Sequence, residues 1–128
     1  MKLTPVLIVD AIEPELDFWT GRLGFEKTVD VPEGDRLGFV ILVRDGAEVM
    51  LQTWSSVEKD AGSAIPRRDS GAVALFLEVE NFDALRSRLD GLEVFAPERV
   101  TFYGMREIGV LAPSGHPVVL AASVKQPA

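Results

Sequence analysis

The side chains able to do chemistry are few, and their types narrow the function before any fold is considered. The 128-residue chain contains no cysteine and a single histidine, His116. Disulfides, zinc–thiolate sites, iron–sulfur clusters and a cysteine nucleophile are therefore excluded. Any Ser-His-Asp arrangement has to use His116. Ser114 is too close to His116 in sequence to provide that geometry, so His116 reads either as a solvent-facing turn residue or as a lone catalytic group. Asp17 and Asp83 fall on the solvent side of amphipathic segments, which leaves paired-carboxylate chemistry without support. No Gly-x-x-x-x-Gly-Lys-Ser/Thr stretch exists to cradle a phosphate. Gln52, Glu78, Tyr103 and Arg106 remain as polar groups of interest. Arg106 can meet an anionic ligand or pair with Glu98 or Glu107.

Those residues have to be positioned by one small domain. Hydrophobic residues make up 47% and charged residues 26% of the chain, ordinary values for a globular protein. The net charge of −7 and the lack of a basic cluster longer than Arg67-Arg68 argue against nucleic acid. No apolar run approaches the ~20 residues that span a bilayer. The first residues lack a signal-peptide core, so a cytoplasmic protein is expected.

Leu3 to Val9 reads as a buried strand. Glu13-Pro14-Glu15 reads as a helix start, with Leu16, Trp19 and Leu23 at helical spacing and Gly24 as the stop. Phe25 to Val31, Phe39 to Val43 and Glu48 to Trp54 are expected strands. Pro32 to Asp35 and Asp45-Gly46 are the turns between them. A second series follows. It has a strand over 72–79, a helix carrying Phe82, Leu85 and Leu89, a short extended piece over 93–95, and strands over 106–111 and 117–122. Leu16, Asp17, Trp19, Arg22 and Leu23 lie 66 residues before Phe82, Asp83, Leu85, Arg88 and Leu89. Two βαβββ modules are the economical reading. Module 1 spans about 1–54, a linker about 55–71 and module 2 about 72–124, all within one domain.

Val9-Asp10, Leu16-Asp17-Phe18-Trp19, Arg22-Leu23-Gly24-Phe25-Glu26, Tyr103-Gly104-Met105-Arg106-Glu107 and Ala112-Pro113-Ser114-Gly115 occur in an order that resembles the vicinal-oxygen-chelate superfamily, the glyoxalase, bleomycin-resistance and dioxygenase group. The chain departs from the family pattern at Trp19, where Tyr is usual, and at Ala112 and Ser114, where Asp is preferred. The resemblance implies an α+β fold of two βαβββ modules whose strands form an open, barrel-like trough around a ligand. It also implies where a divalent ion sits in the metalloenzymes of the group. Carried onto this chain, those four positions are Thr4, Met50, Ala74 and Val119, none of which anchors a divalent cation. No metal and no cofactor is therefore expected.

Strand alternation puts Met50, Gln52 and Trp54 on one face, and Ala74, Phe76 and Glu78 on another. The expected ligand-binding residues are Thr4, Met50, Gln52, Trp54, Phe76, Phe102, Tyr103 and Arg106. Trp54 is equally readable as core or interface, and Glu78 as a solvated strand end. Together these residues imply a binding protein that sequesters a small apolar or aromatic compound. The alternative is a metal-free or atypical lyase, isomerase or dioxygenase-like enzyme using Tyr103, Arg106 or Glu78. A homodimer is expected, with Trp19, Phe25 and Phe102 as apolar residues left for its interface. Neither nucleic acid nor membrane is an expected partner.

Overall fold

The computed structural model describes residues 2–61 and 73–124. The chain divides into two compact units, Met1–Asp69 and Ser70–Ala128. Each unit is built on one four-stranded sheet. The first contains β1 (Val6–Val9), α1 (Glu13–Leu16, continued by a π-helical turn over Asp17–Arg22), β2 (Glu26–Glu33), β3 (Arg36–Arg44), β4 (Ala47–Thr53) and α2 (Trp54–Ala61). The second contains β5 (Leu75–Glu78), α3 (Phe82–Arg86, ending in a 3₁₀ turn over Ser87–Leu89), β6 (Val94–Val100), β7 (Met105–Leu111) and β8 (Pro117–Ser123). The strand orders are β1-β4-β3-β2 and β5-β8-β7-β6. In both units the first strand runs parallel to the last, and the remaining pairs are antiparallel. The α+β class and the repeated βαβββ order are those the sequence implies.

Each sheet has one face under its helix. In the first unit, Val40 and Leu42 on β3 are fully buried, as are Leu51 on β4 and Leu7 and Val9 on β1. Arg44 continues the Val40–Leu42 face and donates a hydrogen bond from Nη1 to the Leu23 carbonyl at the end of the helical segment. That contact fixes the side on which the helix lies. In the second unit, Arg106 continues the face of Ile108 and Val110. Its guanidinium lies 4.3 Å from the centre of the Phe82 ring and 2.8 Å from Asp83. Phe82, Leu85 and Leu89 therefore cover Ile108, Val110, Val118 and Leu120.

The α1 segment departs from simple helical periodicity. Leu23 N–H bonds to the Phe18 carbonyl, five residues back, at 3.1 Å. The wider turn turns both Phe18 and Trp19 inward, at 1% and 0% exposure, and leaves Leu16 only half-buried. Trp19 packs edge-on against Phe18 and Phe25, with ring centres 5.3 and 5.2 Å apart. Its indole N–H donates to Glu15 at 3.2 Å, so a carboxylate sits in the core beside a ring donor. Trp19 and Phe25 are thus core residues of this unit and are not left for a dimer interface.

Two ends differ from the alternation pattern for chemical reasons. Thr53 closes β4 and caps α2, its Oγ1 accepting the Ser56 N–H at 3.1 Å. Trp54 is consequently the first helical residue and does not continue the Met50–Gln52 face. β6 is longer than the expected short piece and carries register shifts between Val94 and Ala96 and between Ala96 and Arg99. Pro97 lies in this irregular stretch, on an edge strand where its missing N–H costs least. At the β3–β4 turn, Asp45 and Gly46 both have positive φ (49° and 83°), the signature of a two-residue type I′ hairpin.

Thr53→Ala removes the α2 cap and the Thr53–Glu33 contact. It is expected to lower stability by about 1 kcal/mol, seen as a lower urea midpoint, while Thr53→Ser keeps most of the wild-type value.

Candidate ligand-binding faces

The faces opposite the helices carry the candidate site residues other than Trp54 and Arg106. On the first sheet the register aligns Val6, Met50, Ile41 and Val29 in one row, and Ile8, Gln52, Phe39 and Val31 in the next. None of these side chains is fully buried; Val6, Val29 and Val31 are 46%, 42% and 48% exposed. Thr4 lies at the end of this face, where Met50 N–H donates to the neighbouring Pro5 carbonyl at 3.0 Å. Thr4 Oγ1 donates to Glu48 at 3.4 Å, and Lys2 pairs with the same carboxylate at 2.9 Å. Gln52 Nε2 donates to Ser56 Oγ at 3.1 Å. Thr4, Met50 and Gln52 therefore share one face, and Trp54 starts the helix beyond it.

The second sheet presents a more polar face. Its rows are Phe76, Val119 and Gly109, then Glu78, Ala121 and Glu107. The Phe95 ring occupies the space above Gly109: a Cβ built there would lie 2.5 Å from the ring, so glycine is what admits it. Glu107 is only 6% exposed. The Tyr103 hydroxyl donates to its Oε2 at 2.7 Å, and Arg99 lies 3.6 Å from its Oε1. Donation to this carboxylate, with some burial, raises the Tyr103 phenol above its ordinary value. Tyr103 belongs to the β6–β7 turn, where Phe102 is fully exposed and meets its ring edge-on at 5.1 Å.

Arg106 points the other way. It forms ion pairs of 2.8 Å with Asp83 and 3.0 Å with Glu98 on the helix side of the sheet, and both carboxylates hold the guanidinium firmly protonated. Of the two partners open from sequence it takes Glu98, while Glu107 takes Arg99. It lines an open groove with Glu80, Asn81 and Phe82, separated by the sheet from Phe76 and Glu107. Glu78 is exposed, and His116 sits in the β7–β8 turn with Nδ1 2.7 Å from Ser114 Oγ.

Sequence reasoning passed over Glu107 as a site residue, and with it Phe95 and Gly109. The signal was present in Met105-Arg106-Glu107-Ile108-Gly109. Alternation along this stretch puts Glu107 and Gly109 on one face and Arg106 on the other, and the pairing of Gly109 with Val119 decides which face is open.

Four positions correspond, by the resemblance, to those that hold the ion in metalloenzymes of the group. They supply a hydroxyl (Thr4), a thioether (Met50) and two aliphatic groups (Ala74 and Val119). The nearby Glu48 is already engaged by Lys2 and Thr4. Among the described residues no group of three His, Cys, Asp or Glu could hold a metal ion. These residues do not fit a divalent cation. Also among the described residues, no helix is long and apolar enough to cross a membrane.

Residues 3–120 match the family model of the Glyoxalase/Bleomycin resistance protein/Dioxygenase superfamily, and the chain belongs to that family. Similar solved structures include TioX from Micromonospora sp. ML1, with TM-score 0.80 at 15% identity, covering 97% of this chain and 99% of that one. A lactoylglutathione lyase from Agrobacterium tumefaciens gives TM-score 0.74 at 16% identity, covering 95% and 92%. A glyoxalase/bleomycin resistance protein/dioxygenase from Nocardioides gives 0.72 at 20% identity, covering 99% and 86%. At these identities the likeness is one of fold. No match was found among curated protein sequences.

Burial lowers the His116 pKa below its ordinary 6.5. The folded state therefore binds this proton less readily than the unfolded chain. Its stability is complete above about pH 6.5 and declines as pH falls from there through the folded-state value. His116→Gln is expected to flatten that part of the curve in urea unfolding measured between pH 5 and 7.5; an unchanged slope excludes His116 as its source.

Proposed function

We propose that this protein binds a small apolar or aromatic compound on the open face of its sheets, without a resident metal ion, as a binding protein acting in the cytoplasm. The observation that carries the reading is the aromatic character of the second sheet's open side. Phe76, Tyr103 and Phe95 are 54%, 53% and 46% exposed there, around the buried Glu107. Exposed aromatic groups clustered beside one oriented polar group are the usual make-up of a small-molecule site. The half-exposed apolar face bearing Met50 and Ile41 supports the same reading for the first sheet. Thr4, Met50, Gln52, Phe76, Phe102 and Tyr103 are accordingly proposed as ligand contacts. The positions of Trp54 and Arg106 do not favour a contact role.

The hydrogen-bonded Tyr103–Glu107 pair favours a second reading, a metal-free enzyme in which the pair moves a proton to or from a bound compound. Homodimerisation is part of the primary proposal, with Phe102 and Val100 (63% exposed) as the apolar surface available for it.

A thermal-shift series on chelator-treated protein tests the binding reading. Naphthalene- and biphenyl-sized aromatics at ~100 times their dissociation constant add about 2.7 kcal/mol, a rise of several degrees. Manganese, nickel and zinc ions are expected to give none, and Phe76→Ala to reduce the aromatic shift. A rise with metals alone contradicts the proposal. Light scattering of the same samples is expected to give about twice the 14.0 kDa chain mass.

A further inference from the structure

The buried carboxylate suggests what kind of compound the second face takes, an inference that rests on the binding reading above. Glu107 stands in the row next to Phe76, Val119 and Gly109, with the Phe95 ring above Gly109. Ala121 separates it from Glu78. Val119 floors the surface between Phe76 and Phe95, while Gly109 lies under the Phe95 ring and Ala121 is buried beside Glu107. A flat ring lying on this floor brings a substituent at its edge to Glu107. The group that meets Glu107 now is itself a ring hydroxyl, the Tyr103 phenol at 2.7 Å.

We propose that Glu107 is the hydrogen-bond anchor for a neutral hydroxyaromatic ligand, and that the Tyr103 phenol occupies this anchor when no ligand is bound. Three features lead to this class. A buried carboxylate stripped of its donor carries a large desolvation cost, so whatever displaces Tyr103 has to donate a hydrogen bond in return. Arg99, 3.6 Å away and itself two-thirds exposed, already balances the Glu107 charge, which reduces what a cationic ligand gains. An apolar ligand of the same shape returns no donor at all.

The exchange needs little motion. The backbone of the β6–β7 turn is pinned: Thr101 N–H donates to the Met105 carbonyl at 2.7 Å and Val124 N–H to the Gly104 carbonyl at 2.9 Å. The Tyr103 side chain is half exposed, and its neighbour Phe102 is fully exposed. Side-chain rotation alone therefore frees Glu107, on the fast timescale of exposed rotamers.

The test compares three probes of one shape: 2-naphthol, its methyl ether 2-methoxynaphthalene, and cationic 2-naphthylmethylamine. Their affinities are measured by fluorescence titration of wild type, Tyr103→Phe and Glu107→Gln, with folding checked by circular dichroism. Naphthol is expected to bind wild type more tightly than its ether. Tyr103→Phe removes the competing phenol, and naphthol binding is expected to tighten about tenfold, the order of one net hydrogen bond to a charged group. The ether is expected to be unaffected, and Glu107→Gln to bring the two probes close together. If Glu107→Gln fails to fold, the naphthol-to-ether ratio in Tyr103→Phe decides the question. Equal binding of naphthol and ether in wild type and Tyr103→Phe overturns the anchor while leaving an aromatic-binding protein. Preference for the cationic probe overturns the neutral class. Failure of all three to bind overturns both the anchor and the binding reading.

Discussion

A four-stranded sheet has two faces, and each unit of this protein covers one of them with its main helix. Most of the other features follow from that constraint. Arg44 at the Leu23 carbonyl and Arg106 over Phe82 mark the covered side of each sheet. The strands are nevertheless not polar on their other side. In β3, Phe39, Ile41 and Val43 alternate with the buried Val40 and Leu42 and are themselves only half covered. Apolar surface left in water is unfavourable in proportion to its area, about 25 cal/mol per Å². A face built this way gains by having something laid on it.

The two units meet this constraint differently. The first keeps an apolar, mostly aliphatic face that includes Phe39, with polar groups in the Thr4–Glu48–Lys2 contacts at one end and at Gln52. The second trades aliphatic bulk for small residues, aromatic rings and a buried carboxylate with two partners. Gly109 is central to that difference, since it lets Phe95 fold over the sheet where a side chain would block it. A shared fold thus carries one face suited to dispersion contacts and another that adds a directional hydrogen bond. The geometry in the second unit is compatible with both binding and proton transfer, because a phenol donating to a carboxylate serves either purpose.

The fold was readable from the sequence because its signals were local and repeated. Turn residues such as Asp45-Gly46, helix-spaced apolar residues and the 66-residue repeat all survived into the structure. What was less legible depended on interactions no periodicity encodes. The π turn that buries Phe18 beside Trp19 is one local hydrogen bond from an ordinary helix. Trp54 left its strand because Thr53 caps a helix. In the site, residue identity was easier to read than direction. Tyr103 and Phe76 were singled out from sequence, yet Arg106 and Glu107 exchange the roles their charges suggest. One residue of alternation decides which of them meets the open face, and it becomes clear only when β7 is registered against β8.

The open face of the second sheet, with Glu107 at its centre, is the claim on which the functional account turns. Amide chemical shifts followed during titration with 2-naphthol test it most directly. The account predicts that Phe76, Glu107 and Ala121 shift together and saturate with one dissociation constant, while Phe82, Arg106 and Ala122 on the helix side stay in place. Saturable shifts confined to Phe82, Arg106 and Ala122 would contradict it and move the site to the groove beside α3.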